Sequence, residues 1–197
     1  MRTIEHTLLK FEELTDEQKK TVLDKNRDWN VEGFDWFEYT IDDAKTIGNL
    51  LGIDIDDVFF SGFWSQGDGA CFTGSFCHTK NIVKNITEHV GGTDKELIQI
   101  AKEIQELFRK SFYMANGTIK HTGHYNHERS MSIYLSDYDI KGSADDREWA
   151  DVFADFAKWI YKRLEEEYEY LTSDEVVAES IIANEQEFEL DEDGDLI

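Results

Sequence analysis

The sequence contains no proline, only two cysteines and no long uninterrupted apolar run. Two cysteines cannot form a disulfide framework, and Cys71 and Cys77 both lie in an apolar stretch where a thiol usually behaves as a small buried hydrophobe. The N-terminus lacks the apolar segment of a secretory signal, and no run of about 18 apolar residues occurs elsewhere. We therefore expect a protein of a reducing cytoplasm that is neither exported nor membrane-spanning.

Basic residues are scarce, because 20 Lys and Arg stand against 43 Asp and Glu and give a formal net charge of −23. Such a charge opposes direct binding to nucleic acid or anionic lipid and favours a basic partner. The imbalance is mostly C-terminal: residues 145–197 carry 19 acids and 4 bases, whereas residues 1–144 carry 24 acids and 16 bases. No Lys or Arg follows Arg163, although 14 carboxylates do.

Neither a Gly/Ser linker nor an internal repeat divides the chain, and 197 residues suffice for one domain with a real core. The sequence therefore predicts a single α+β domain over residues 1–197, with an acidic helical C-terminal third at 145–197.

Helix and hairpin patterns alternate along the chain. Thr15 with Gln18 predicts a capping box, Thr40 predicts the start of a second helix, and Ser173 predicts the cap of the last one. The stretches DVFFSGF and ACFTGSFCH, joined by WSQGDG, predict one β-hairpin, and TIKHTGHY with SMSIYLSDYDI predicts another. Gly117 is expected to permit a turn, and the tail EFELDEDGDLI to end as a turn near Asp193. Together these patterns predict an α+β fold with a four-stranded antiparallel sheet from two β-hairpins and helices packed against it, in the order ααββααββαα.

The stretch FSGFWSQGDGACFTG at 60–74 resembles a family of small uncharacterised proteins of bacteriophages and prophages. FEELTDEQKKTVLD at 11–24, YTIDDAKTIGNLLGI at 39–53, GHYNHERSMSI at 123–133 and the C-terminal ESIIANEQEFELDEDGDLI support the resemblance. Members are sometimes labelled as antitoxins of toxin–antitoxin stability systems. The resemblance implies a phage accessory protein and carries no catalytic residues onto this chain.

The loop around Trp64, Gln66 and Asp68 has two interpretations. It lacks a Lys or Arg and the Walker or dinucleotide spacing, so it is no phosphate site. Its glycines favour a tight hairpin turn. Trp64 favours a partner-binding loop instead, since large aromatics beside polar loop groups often anchor binding.

His121, His124 and His127 recur every third residue, which suggests a metal site if Cys71, Cys77 or Glu128 lie nearby. On a strand, however, His124 points away from the other two, so ordinary polar strand residues are the competing interpretation. GxSxG, HExxH and SxxK are all absent. We expect a protein that is not an enzyme and has no cofactor or metal.

The carboxylates after Arg163 are either a solvated face that confers solubility or an anionic surface directed at a partner. Charge spacing on a helix can approach that of duplex DNA, which favours the second interpretation. The candidate partner-binding carboxylates are Glu165, Glu166, Glu169, Asp174, Glu175 and Glu179.

The leading hypothesis is a phage-type, non-enzymatic inhibitor of a host nucleic-acid-directed defence system, either CRISPR or restriction. Its partner would be a basic host protein or nucleoprotein complex, bound through an acidic surface that imitates nucleic acid. One alternative is an antitoxin-like protein that neutralises a cognate toxin through Trp64. A second alternative is a metal-dependent enzyme that uses residues 121–128.

Overall fold

A computed structural model describes residues 7–33, 35–136 and 143–191. These residues form six α-helices: α1 (Asp16–Lys25), α2 (Glu38–Leu51), α3 (Ile82–His89), α4 (Lys95–Lys110), α5 (Asp146–Leu171) and α6 (Asp174–Ala183). They also form the strands β1 (Thr7–Lys10), β2 (Ile53–Phe60), β3 (Ala70–Cys77), β4 (Asn116–His121), β5 (Met131–Leu135) and β6 (Glu187–Leu190). None of the helices in these ranges is long and apolar enough to cross a membrane.

The chain divides into two compact units. The larger unit is Phe37–Glu165, and the smaller unit combines Met1–Trp36 with Glu166–Ile197. The boundary falls inside α5, whose residues up to Glu165 belong to the larger unit. The single domain over 1–197 stays a prediction.

A four-stranded antiparallel sheet in the order β2-β3-β4-β5 is the centre of the larger unit. Its buried face carries Phe72 and Phe76, whose rings pack against Phe153 of α5 at 6.3 Å and 5.0 Å between centroids. The ring centroid of Trp149 lies 4.8 Å from that of Phe76 and 4.8 Å from that of Phe108 on α4. The 3.6-residue apolar period of α5 and the period-2 pattern of β3 therefore meet in one aromatic core. The predicted mixed helix and strand fold with an antiparallel four-stranded sheet is confirmed.

The smaller unit has its own core, formed by Phe11, Leu14, Val22, Val177 and Ile181. Its two predicted caps are confirmed. Thr15 and Gln18 form the reciprocal capping box at the start of α1, and the Ser173 hydroxyl accepts a hydrogen bond from Val176 N at the start of α6. Strands β1 and β6 pair antiparallel at the edge of this core.

Four local predictions are wrong or incomplete. The predicted order omits β1 and β6, and residues 187–190 of the tail are a strand; Asp193 lies outside the described residues. Helix α2 begins at Glu38, before Thr40. Gly117 lies inside β4, and the chain turns earlier, at Phe112 and Tyr113. The omission of β1 and β6 has a physical reason, because their pairing joins the two ends of the chain and leaves little local signal.

Candidate partner-binding site

The loop 61–69 between β2 and β3 is closed by its own side chains. One carboxylate oxygen of Asp68 accepts hydrogen bonds from Trp64 N at 3.0 Å and Ser65 N at 2.6 Å. At the base of the loop, Ser61 N donates to Gly69 O at 3.1 Å, and Ser61 Oγ accepts from Gly69 N at 3.2 Å. Short polar side chains that bond nearby backbone groups fix a loop in this way. The loop is therefore built as a rigid turn.

A second loop, residues 122–130 between β4 and β5, supports it from one side. Asn126 Nδ2 donates to Phe60 O at 3.0 Å, where β2 ends. Gly69 lies so close to this loop that a Cβ there would meet His127 Cα at 3.2 Å. The two loops project from the same end of the sheet because both connect antiparallel neighbours in the order β2-β3-β4-β5.

Tyr161 of α5 supports the loop from the other side. Its hydroxyl donates to Gly62 O at 2.9 Å, and its ring lies 5.4 Å from the ring of Phe63. Burial raises the pKa of Tyr161 to about 12, with further contributions from the charges of Asp68 and Glu165. These two carboxylates are therefore close enough to place negative charge beside the loop.

Trp64 remains 76% exposed on this fixed loop, and Gln66 is exposed at its tip. Because the backbone that carries Trp64 is held by Asp68, a partner that covers the ring does not have to order the loop, which is how preorganised anchors gain affinity. We call residues 61–69 with Tyr161 and Glu165 the Trp64 site.

The C-terminal carboxylates lie on the last turns of α5 and on α6. Glu166, Glu169, Asp174, Glu175 and Glu179 are exposed, and Glu165 is partly exposed. Asp174 forms an ion pair with Arg27, whose pKa is raised first by its hydrogen bond to Asp24 and then by that to Asp174. The last turn of α5 contains no basic residue.

The placement of these acids has opposite effects on the two helices. Asp174 and Glu175 lie in the first turn of α6, where negative charge complements the helix dipole. Glu169 lies near the C-terminal end of α5, where the same charge is unfavourable. Asp174 and Glu175 thus help to stabilise their helix, whereas Glu169 does not stabilise α5 through the helix dipole.

The structure brings together Trp64, Gln66, Asp68 and Glu165, all within the larger unit. Glu166, Glu169, Asp174, Glu175 and Glu179 belong to the smaller unit. Sequence reasoning named Asp68 as a site residue but missed Tyr161 and Asn126. Their contacts join residues 66 and 99 positions apart, for which a single sequence contains no signal.

A family described as Domain of unknown function (DUF8835) matches residues 36–174. That range covers 139 of the 197 residues. The chain belongs to the DUF8835 family. Neither a curated protein nor a solved structure matches the chain significantly. The DUF8835 range nearly coincides with the larger unit and contains the whole Trp64 site, whereas β1, α1 and β6 lie outside it.

The three histidines of the segment 121–127 do not converge. His121 Nε2 lies 3.1 Å from Tyr125 O, His124 is exposed, and His127 Nδ1 lies 3.0 Å from Glu128 Oε2. Among the residues that the structure describes, no group of three or more His, Cys, Asp and Glu is placed to hold a metal ion. Cys71 is buried and Cys77 is exposed.

Another feature of this chain that the sequence analysis missed is the turn where α4 ends. Tyr113 N donates to Phe108 O at 2.6 Å and Phe112 N donates to Arg109 O at 3.0 Å, which together form a Schellman motif. Phe112 and Tyr113 have φ of +52° and +61°, a backbone region that bulky residues rarely adopt. No glycine directly follows Lys110, so turn chemistry did not predict a turn at this point.

Proposed function

We propose that this protein is a phage-type accessory protein that inhibits a host nucleic-acid-directed defence system of the CRISPR or restriction class. It acts without catalysis, in the cytoplasm of the bacterial host, by presenting carboxylates to a basic surface that normally binds nucleic acid. The phage assignment is supported by the resemblance of FSGFWSQGDGACFTG at 60–74 to small proteins of bacteriophages and prophages.

The observation that carries the proposal is the run of four carboxylates on the last turns of α5, which follows the last basic residue of the chain. On α5, Glu169 lies four residues after Glu165 and three residues after Glu166, so it is next to both on the helix surface. Each like-charged pair costs about 0.2–0.5 kcal/mol, and Glu169 costs about 0.3–1 kcal/mol against the helix dipole. A solubilising face does not require this arrangement, because the rest of the chain is already acidic. Local conflicts of this kind are expected at functional sites.

The spacing of these charges suits a nucleic-acid mimic. Glu165, Glu166, Glu167 and Glu169 span four residue steps of α5, which is a rise of about 6 Å. Duplex DNA carries one charge per roughly 1.7 Å of axis, so four charges over this rise approach its density. A basic groove would attract this surface at long range, and added salt would weaken the attraction.

The experiment is a plating assay on a bacterial host that carries one restriction or CRISPR system. We expect the wild-type protein to restore plating of a sensitive phage, and the triple variant Glu165→Gln, Glu166→Gln, Glu169→Gln to lose this effect. The matched control replaces the exposed Glu12, Glu17 and Glu32 by Gln, which changes the net charge equally. Full protection by the first triple variant would contradict the proposal.

A second candidate function, an antitoxin-like protein that binds one cognate toxin, is favoured by the Trp64 site. The observation is that a side chain 76% exposed is held by a loop with hydrogen bonds on both sides. Affinity would then come from an aromatic anchor, and charge would provide solubility only.

Salt distinguishes the two candidates in a pull-down from bacterial cells. Binding that persists at about 0.5 M salt and is lost in Trp64→Ala supports the antitoxin-like function, because such salt screens exposed charge pairs. Tyr39→Ala is the matched control, since Tyr39 is 89% exposed on α2. Binding lost at that salt, with Trp64→Ala equal to wild type, excludes the second candidate.

A further inference from the structure

The turn after α4 exposes three consecutive large apolar side chains. Phe112, Tyr113 and Met114 are 67%, 51% and 59% exposed. No other consecutive residues of this kind are exposed within the ranges 7–33, 35–136 and 143–191. We call these three residues the Phe112 corner. Contiguous exposed apolar groups of this kind mark interaction surfaces, whereas isolated ones are ordinary.

The turn itself does not require Phe112. Helix α3 ends in the same Schellman motif with glycine at the equivalent position: Gly92 N donates to Thr87 O at 2.9 Å, and Gly91 has φ of +58°. Glycine adopts this conformation without steric cost, and a phenylalanine does not. Phe112 therefore carries backbone strain that a glycine would avoid, and strain that serves no local purpose points to function.

The described segments around the corner are almost neutral in a chain of net charge −23. The ring of His78 lies 4.8 Å from Tyr113, Ala144 N donates to Ser111 Oγ at 3.3 Å, and Lys110 pairs with Glu148 at 2.6 Å. The described segments that make these contacts, 78–84, 104–118 and 143–148, contain five Lys and Arg and four Asp and Glu. Arg109 is itself paired with Glu106 at 2.6 Å.

We propose that the Phe112 corner is a self-association surface, occupied by the Phe112 corner of a second copy of this chain. Two copies repel each other over most of their acidic surfaces, so the approach that brings two near-neutral apolar corners together is the least opposed. A two-fold arrangement, in which the same patch is used by both copies, closes the assembly as a dimer. Three side chains are fewer than a standard interface uses, so the dimer is weak and forms in the micromolar range.

Salt acts on this contact in a characteristic direction. Ions screen the repulsion between two net-negative copies and leave apolar burial intact, so dimerisation strengthens as salt is added. Binding of a basic partner by carboxylates weakens under the same change. The self-association is independent of the proposed inhibitory function, and the opposite salt dependence separates the two.

Sedimentation velocity of the full chain, from about 1 µM to about 1 mM and at low and high salt, tests the proposal. We expect a concentration-dependent dimer whose dissociation constant falls when salt is raised. Phe112→Gly, which the turn accommodates, and Met114→Ser should each raise that constant at least about tenfold. Tyr39→Ala, an exposed aromatic of another element, should leave it unchanged. A monomer at all concentrations, or a dimer that Phe112→Gly leaves intact, would overturn the proposal.

Discussion

At Phe112 we expect a glycine variant to be more stable than an alanine variant, which reverses the usual order of these two residues. In most exposed helical positions glycine is less stable than alanine by about 1 kcal/mol. At Phe112 the φ of +52° reverses this order, because alanine keeps the left-handed strain and glycine removes it. We predict that Phe112→Gly is more stable than Phe112→Ala.

The magnitude follows from three terms. Left-handed backbone costs an L-residue about 1–2 kcal/mol, and the greater freedom of glycine in the unfolded chain takes back about 0.4–1 kcal/mol. The third term, loss of the buried third of the ring, is about 0.5–1 kcal/mol and is nearly common to both variants. The difference between the two variants is therefore about 1 kcal/mol in favour of glycine.

Urea unfolding followed by tryptophan fluorescence measures this difference. With an m-value of about 2 kcal/mol/M, the midpoint of Phe112→Gly should lie about 0.5 M above that of Phe112→Ala. Lys102, exposed on the middle of α4, provides the matched control, since Lys102→Gly should be less stable than Lys102→Ala by about 1 kcal/mol. Alanine more stable than glycine at both positions would refute the reasoning.

Three further predictions concern backbone contact, thiol chemistry and capping. Gly74→Ala places a Cβ 2.0 Å from Asp54 O on the neighbouring strand at φ +154°, so the free energy of unfolding should fall by more than about 3 kcal/mol in urea titration. Burial raises the pKa of Cys71 from 9.0 to about 11, so its contribution to stability is complete below pH 9 and is lost as the pH rises through 11. Ellman's reagent at about pH 8 should accordingly titrate Cys77 alone in the folded protein and both thiols in urea; two fast thiols in the folded protein would contradict this. Ser173→Ala removes the hydrogen bond to Val176 N and should cost about 1 kcal/mol by thermal unfolding, whereas Ser173→Asp should cost little.

Local chemistry made part of the fold predictable. The caps at Thr15 and Ser173 were recognisable because the side chain and the amide that it accepts from lie within three residues. The aromatic stripe of α5 was recognisable because one helix face must enter the core, and Trp149 and Phe153 do so.

Long-range pairing was not predictable from the same patterns. Strands β1 and β6 are four residues each and about 180 positions apart, and neither has enough alternation to stand out from its neighbours. The turn at Phe112 contradicts glycine-based turn rules, because its motif is closed by backbone hydrogen bonds that tolerate a strained side chain.

The candidate site was predictable only in its ingredients. Trp64, Gln66 and Asp68 were named from turn chemistry, and Glu165 from the run of carboxylates. Glu165 and Asp68 both contribute to the raised pKa of Tyr161 because α5 packs beside the loop 61–69. No local sequence pattern indicates this packing. The alternative of a histidine metal site could not be tested from spacing alone, because His121 and His127 are each engaged by a different neighbour within the segment 121–128.

The most direct test of the central claim measures stability and protection on the same triple variant, Glu165→Gln, Glu166→Gln, Glu169→Gln. The variant removes two like-charged pairs and a charge opposed to the helix dipole, and it also removes the attraction of Glu165 and Glu166 to Lys162 and Arg163 one turn earlier. These effects offset each other, so the free energy of unfolding should change by less than about 1 kcal/mol in low salt. The same variant should lose phage protection in the plating assay. A protein that stays folded with nearly unchanged stability but gives no protection is the result that the acidic-surface proposal predicts. A variant that protects as well as the wild type would contradict it, whatever its stability.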